Sequence, residues 1–302
     1  MEDMITGLCP QCGHTLHIPA ELASFSCMYC GARLTKEQLE AEPPAAQEAD
    51  EDRAAYYDRA VSRLGWCIKN FGGYQKKIMR DVFFEAFETY ETGCAPVIQE
   101  LARGVAPEQQ TQLLGRAAAA MLDELEAGWQ KKGDMEDEKI VLAIFFVPMV
   151  RKQQLPISEE FVTILQKQWV ERYPKSPFYL GDYESISGGF RKKFLGLCFI
   201  TTAVCQELGK PDDCEELTAF RAFRDGYLRS QPDGEALIRE YYNIAPGIVT
   251  CINTCSDRHA SYARIREEYL APCYQDLLAG RNESCKARYV RMVRDLEREY
   301  LS

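Results

Sequence analysis

Four cysteines near the start of the chain constrain its folding more than any other feature. Cys9 and Cys12 flank two residues, a 14-residue spacer follows, and Cys27 and Cys30 repeat the spacing. Each such pair curls the backbone so that two thiolates reach one ion, and Gly13 and Gly31, directly after the pairs, supply the backbone angles such knuckles need. Four soft thiolates in a tetrahedron select zinc, with iron as the rubredoxin-like alternative. His14 and His17 lie beside the first knuckle and are read as surface residues, because four correctly spaced cysteines already fill the coordination sphere. A segment this small has little core of its own, so metal binding, on the order of 10–16 kcal/mol in zinc-finger peptides, supplies most of its stability. Residues 1–36 are therefore expected to form a zinc ribbon of short β-strands, with one structural ion and no open position for catalysis.

The remaining composition fits a polar chain of about two further domains. Of 302 residues, 46% are hydrophobic, which is too polar for a membrane protein. The longest apolar run, residues 140–150, contains Pro148 and is too short to cross a bilayer. The start, MEDMITGL, has no basic or long apolar stretch of the secretory kind. Thirteen cysteines, an odd number in a chain this long, point to thiols and metal ligands in a reducing cytoplasm rather than a disulfide framework. The net charge of −10 is concentrated early, where Arg33, Lys36 and Arg53 face many carboxylates. That balance opposes nucleic acid, which needs clustered cations, and favours a protein partner for the ribbon. Residues 37–55, with EPPAAQEADED at their centre, are expected to be an extended acidic linker, so that the ribbon is tethered to the rest.

From residue 56 the hydrophobic spacing is helical. Tyr57, Val61, Leu64, Ile68 and Phe71 step by 4, 3, 4 and 3, the mark of one buried helix face, and Gly72-Gly73 ends the run. The same reading predicts a helix over 74–92 closed by Gly93, helix starts at Pro96 and Pro107, and Asp134 as a cap for the helix carrying residues 140–150. It places a further helix from Ser158 to Pro174, with Trp129 and Trp169 in the core. Later it predicts separate helices over 234–242 and 246–255 and a final helix with Cys285, Tyr289, Met292, Leu296 and Tyr300 inward. The expected architecture is mainly α: the tethered ribbon, then an all-helical body of about ten helices, divided into domains over 56–190 and 191–302.

The most distinctive stretch of that body is residues 194–228. Cys198 and Cys205 are seven apart, two turns of a continuous helix, and Cys214 opens the next helix, where Asp213 and Glu216 have capping-box spacing. Here the sequence resembles the CFI-box C-terminal domain, found at the ends of many otherwise unrelated prokaryotic proteins. The resemblance rests on Cys198-Phe199-Ile200-Thr201-Thr202-Ala203, on Phe220-Arg221-Ala222-Phe223-Arg224-Asp225 with Tyr227 and Leu228, and on Tyr241-Tyr242 with Pro246. It covers roughly residues 194–255. Val204-Cys205-Gln206 stands where the family has an aromatic-glycine turn. The resemblance implies a domain boundary near residue 191 and brings no activity with it.

No helix of the body carries paired carboxylates, a phosphate-cradling glycine loop or histidines at metal spacing. The leading expectation is thus a cytoplasmic binding or adaptor protein, with the balance leaning against an enzyme. Free cysteine is by default a small buried hydrophobe. The alternative is a thiol-dependent enzyme, or a redox or metal sensor, centred on Cys198, Cys205 and Cys214. In that reading Thr202 lies close by, Arg221 and Arg224 hold an anion, Asp225 orients Arg221, and His259 serves as a base. Cys214, Cys273 and Cys285 fall near helix starts, positions that favour thiolate. Cys251 and Cys255, one turn apart, are read as buried filler. Nucleic-acid binding through the ribbon and the Arg-rich C-terminal helices is the third reading.

Overall fold

The computed structural model describes residues 4–11, 15–28, 31–39, 46–191 and 198–301. The chain is mainly α-helical, with its strands confined to the start, and it divides into two compact units, Met1–Ala55 and Tyr56–Ser302.

In the first unit, two antiparallel hairpins follow one another. Met4–Leu8 pairs with Thr15–Pro19, and Ser24–Ser26 with Arg33–Thr35. A single helical turn, Lys36–Leu39, closes onto the first strand so tightly that a Cβ on Gly7 would lie 2.6 Å from the Leu39 carbonyl oxygen. Residues 46–52, expected to be extended, instead begin the helix Ala46–Leu64. Alanine, glutamine and glutamate are good helix formers, and here they prevail over the mutual repulsion of the carboxylates.

In the second unit the predicted stripe holds: Ala60, Leu64, Cys67 and Ile68 are buried, with Tyr57 and Val61 packed beside them. Residues 74–77 form a short 3₁₀ turn and the next helix runs from Phe83 to Gly104. Gly93 and Pro96, expected at an end and a start, therefore lie inside one helix. Pro107 does stand at a helical first turn. Asp134 caps as expected, its carboxylate accepting from the backbone amides of Gln130 at 2.8 Å and Lys131 at 3.1 Å. The helices Gln110–Gly128 and Ser158–Arg172 pack together, held at their ends by Arg172, which reaches Asp123 at 2.8 Å and Glu126 at 3.0 Å.

The run 140–150 is buried on every side. Phe145 at its middle meets Tyr74, Phe83, Phe87 and Tyr90, with ring centroids 5.1 to 6.2 Å away. Pro148 neither ends nor breaks this rod. The segment Leu142–Phe146 is π-helical, and the Val147 amide donates to the Leu142 carbonyl, five residues back. Widening the turn moves the carbonyl that the proline ring would otherwise strike, that of Ile144. The same device recurs at Arg266–Leu270, where the Ala271 amide reaches the Arg266 carbonyl just before Pro272.

The predicted boundary at residue 190 falls inside this unit. The helix Gly234–Cys255 is continuous through Pro246, not two helices, and it lies against elements from both sides of that point. The Arg80 amide donates to the Asn243 carbonyl at 3.0 Å, and Tyr179 to that of Thr254 at 2.7 Å. Phe83 stacks on Phe190 with centroids 4.2 Å apart. Residues 56–190 and 191–302 thus share one hydrophobic core.

Candidate functional site

Two cysteines of the four-cysteine motif, Cys9 and Cys27, lie among the described residues of the first unit. Cys9 follows the first strand of one hairpin and Cys27 the first strand of the other. Their exposures are 1% and 2%, and they share one small buried cluster with Leu16, Ile18, Leu34 and Leu39. After Cys27 the backbone turns sharply: the Gly31 amide donates to the Cys27 carbonyl at 2.9 Å, and the Cys27 amide to the Ala32 carbonyl at 2.8 Å. Gly31 takes a φ of +74°, the left-handed conformation that glycine alone adopts without cost. Cys12, Cys30 and His14 lie outside the described residues, and His17 is exposed. Among the described residues no three His, Cys, Asp or Glu side chains are grouped to hold a metal, so two buried cysteines and the turn after Cys27 are what bears on zinc.

In the second unit Cys198 and Tyr242, far apart in sequence, meet at Arg224 beside its neighbour Asp225. Cys198 is the N-cap of the helix Phe199–Glu207 and not part of it, so it does not share a helical face with Cys205. The Arg224 guanidinium is buried. Its Nη1 donates to the Tyr242 hydroxyl at 2.9 Å and lies 3.6 Å from the Cys198 sulfur. Its Nε and Nη2 grip Asp225 at 2.8 and 2.6 Å. Asp225 therefore orients Arg224, not Arg221. The two neighbours can face each other because both lie in the π-helical segment Phe223–Tyr227, where ordinary helical spacing does not apply. Arg221 instead reaches back to Asp212, its carbonyl at 2.7 Å and its carboxylate at 2.9 Å. With each guanidinium on its own carboxylate, the pair does not form the anion cradle expected of it.

The hydroxyls complete the arrangement. The Tyr241 hydroxyl accepts from the Ile200 amide at 3.0 Å, and Thr201 and Tyr289 share a hydrogen bond at 3.1 Å. Sequence reasoning missed Tyr289 as a partner, since it reads only as part of the last helix's buried stripe. Cys198, Phe220, Phe223, Arg224, Tyr241 and Tyr289 line an apolar cavity of about 60 Å³. That is far below the roughly 300–1,000 Å³ of small-molecule sites. Burial raises the Cys198 thiol pKa, and the nearby guanidiniums of Arg224 and Arg221 offset only part of this. The thiol next to the arginine is therefore held neutral, which is poor chemistry for a nucleophile.

Cys205 and Cys214 form a different contact, their sulfurs 3.9 Å apart. Cys205 is buried and Cys214 half-buried. Burial, followed by the neighbouring Cys214, pushes the Cys205 thiol up to about 12. The three cysteines thus split between two places. Cys214, rather than Asp212 or Asp213, caps the helix Glu215–Ala222, and Glu216 pairs with Lys210 instead of closing a capping box. Thr202 lines a neighbouring polar cleft of about 580 Å³ with Glu207, Thr250, Asn253 and Arg258. Its hydroxyl oxygen is buried without a hydrogen-bond partner among the described residues. His259 is exposed and pairs with Glu207, so no cysteine lies on its imidazole.

Other sulfurs are core. Cys67 and Cys94 are fully buried together, as are Cys273 and Cys285. The hydrogen bond to Cys94 and burial raise the Cys67 thiol, and the hydrogen bond to Cys285 and burial raise that of Cys273. The thiolate expected at Cys273 fails because no helix starts there: Arg258–Ile265, Arg266–Leu270 and Ala271–Leu278 run on as one rod. Cys285 does lie in the first turn of the last helix, Asn282–Tyr300, but is wholly enclosed. Cys251 and Cys255 are buried near Lys139, with burial holding the Cys255 thiol up at about 12. No helix among the described residues is long and apolar enough to cross a membrane. No family model, curated protein or solved structure matches the chain.

Proposed function

We propose that this chain is a non-enzymatic binding protein whose N-terminal ribbon, folded around one zinc ion by Cys9, Cys12, Cys27 and Cys30, engages a protein partner. The observation that carries the reading is the burial of Cys9 and Cys27 in one small core, each at the end of a hairpin strand, with Gly31 left-handed in the turn after Cys27. A core of so few side chains is too small to hold two hairpins unaided, and a tetrathiolate ion would supply the missing stability. Four thiolates leave no open coordination position, so the ion's chemistry there is structural. Iron would fit the same donor set less commonly.

Two features favour protein over nucleic acid. Met28, in the turn between the second pair of cysteines, is 81% exposed, and Leu22 is also exposed, which gives the ribbon apolar contact points. Its charge is acidic on balance, which weakens attraction to phosphates. The CFI-box-like region fits a folded C-terminal body: Arg224, Cys198 and the tyrosines are tied to one another around a cavity of about 60 Å³, too small for a typical substrate. Metal analysis of the full-length protein purified under reducing conditions is the test. One zinc per chain, lost in Cys9→Ser and Cys27→Ser, supports the reading. A metal-free wild-type protein, or zinc retained in both variants, overturns it.

A further inference from the structure

Among the described residues of the second unit three pairs of thiols touch, and one of these pairs includes a residue that is only half-buried. Cys67–Cys94 and Cys273–Cys285 are enclosed in the core. Cys205 is 2% exposed, but Cys214 beside it is half-buried, with their sulfurs 3.9 Å apart. The loop between them is pinned with the pair already in contact. The Lys210 amide donates to the Cys205 carbonyl at 2.9 Å, Gly209 takes the left-handed turn at φ +67°, and Lys210 pairs with Glu216 beyond the loop. Arg221 holds Asp212 from the following helix through two hydrogen bonds. To bond, the two sulfurs must close from 3.9 Å to about 2.0 Å.

We propose that Cys205 and Cys214 form an oxidant-reactive dithiol whose co-reactant is a peroxide. Cys214, the less buried of the two, attacks one peroxide oxygen. The O–O bond breaks, Cys214 becomes a sulfenic acid, and for hydrogen peroxide the other oxygen leaves as water with the thiol proton. Cys205 then attacks the sulfenic sulfur, the S–O bond breaks, and the hydroxyl leaves as a second water with the Cys205 proton. Two thiols are oxidised by two electrons and one peroxide is reduced. Cys205 takes the second role because its buried, neutral thiol is a poor first nucleophile. The charges around the pair, Glu216, Glu215, Asp213 and Asp212 against Lys210 and Arg221, remain acidic on balance and favour a small uncharged oxidant over an anionic disulfide such as oxidised glutathione.

The test is graded hydrogen peroxide treatment of the full-length protein with its metal in place, followed by alkylation of the remaining thiols and peptide mass mapping. The Cys205–Cys214 crosslink should be the first to form in the second unit, and dithiothreitol should reverse it. In the native protein, where the sulfurs already touch, oxidised Cys214 should end as the crosslink, whereas in concentrated urea the balance should shift at least about tenfold toward sulfenic acid that dimedone traps. Cys205→Ser should leave Cys214 as a sulfenic acid that dimedone traps, and Cys214→Ser, which keeps a good helix-capping residue, should leave Cys205 alkylatable after denaturation. The proposal is overturned if Cys67–Cys94 or Cys273–Cys285 crosslinks first, or if the crosslinked share of oxidised Cys214 is the same in the native and unfolded protein. Failure of dimedone to label the Cys205→Ser protein at Cys214 overturns it as well.

Discussion

The Arg224 guanidinium lies 3.6 Å from the sulfur of Cys198, yet burial outweighs the cation and keeps that thiol protonated. An arginine beside a cysteine is a common sign of an activated nucleophile. Here the cation's strongest bonds go to Asp225 and Tyr242, and the thiol fills space. Cys198 in the native protein should accordingly resist iodoacetamide at pH 7 while labelling readily once unfolded, as mass mapping would read. Rapid native labelling would restore the enzymatic alternative.

Arg224 itself should matter for stability. Arg224→Met removes the donor to the Tyr242 hydroxyl and the cation that Asp225 grips, and the unfolding free energy should fall by about 2–3 kcal/mol. Arg224→Lys should recover little of this, since an ammonium cannot reproduce the two-pronged grip on Asp225. Urea midpoints compare the three proteins.

Alkaline pH should destabilise the second unit. Cys198, Cys205, Cys251 and Cys255 all have thiols raised by burial, Cys205 and Cys255 to about 12. In the unfolded chain they release protons near pH 8.5. Stability is therefore complete below about pH 8.5 and declines as pH rises toward 12, because only the unfolded state sheds the protons. Chemical denaturation at pH 7.5 and pH 10 should show a lower midpoint at the higher pH.

Gly247 should not tolerate even a methyl group. A Cβ there would lie 1.9 Å from the Ile78 carbonyl oxygen, so the helix Gly234–Cys255 would have to move off the backbone it rests on. Gly247→Ala is expected to cost about 1–3 kcal/mol despite alanine's better helix propensity. Because the contact joins residues on both sides of position 190, the whole of Tyr56–Ser302 should still melt in one step, visible by calorimetry.

Gly31→Ala should weaken metal retention. Forcing a side chain into φ +74° costs about 1–2 kcal/mol, or roughly tenfold in affinity. Competition with a chromophoric chelator measures it, and an unchanged affinity would separate Gly31 from the metal knuckle.

Local patterns were the legible part of this chain. The stripe from Tyr57 to Ile68 and the cap at Asp134 depend on near neighbours, and they appear where spacing places them. Pro96 and Pro246 were misread because proline is a helix breaker only when tertiary packing does not hold the helix around it. The pairing at Arg224 was hidden for another reason: adjacent residues on a regular helix diverge, and nothing local announces the π turn that brings Arg224 and Asp225 together. The alternative in which Cys198, Cys205 and Cys214 converge needed one helix to carry the first two, and the helix begins one residue too late to include Cys198. Tyr289 lies far along the chain from Thr201, a meeting that only the folded topology sets.

The widened turn ahead of Pro148 also fixes the bookkeeping of the buried rod. Each residue in a helix advances the winding by about 100°. Removing one residue from Leu142–Phe146 would let regular winding resume, but every side chain beyond it would swing by that angle, turning Val147, Met149 and Val150 away from the neighbours they now fill. The surplus residue is thus what keeps the two halves of the rod in phase, and a shortened variant would trade a smoother helix for a core that no longer meshes.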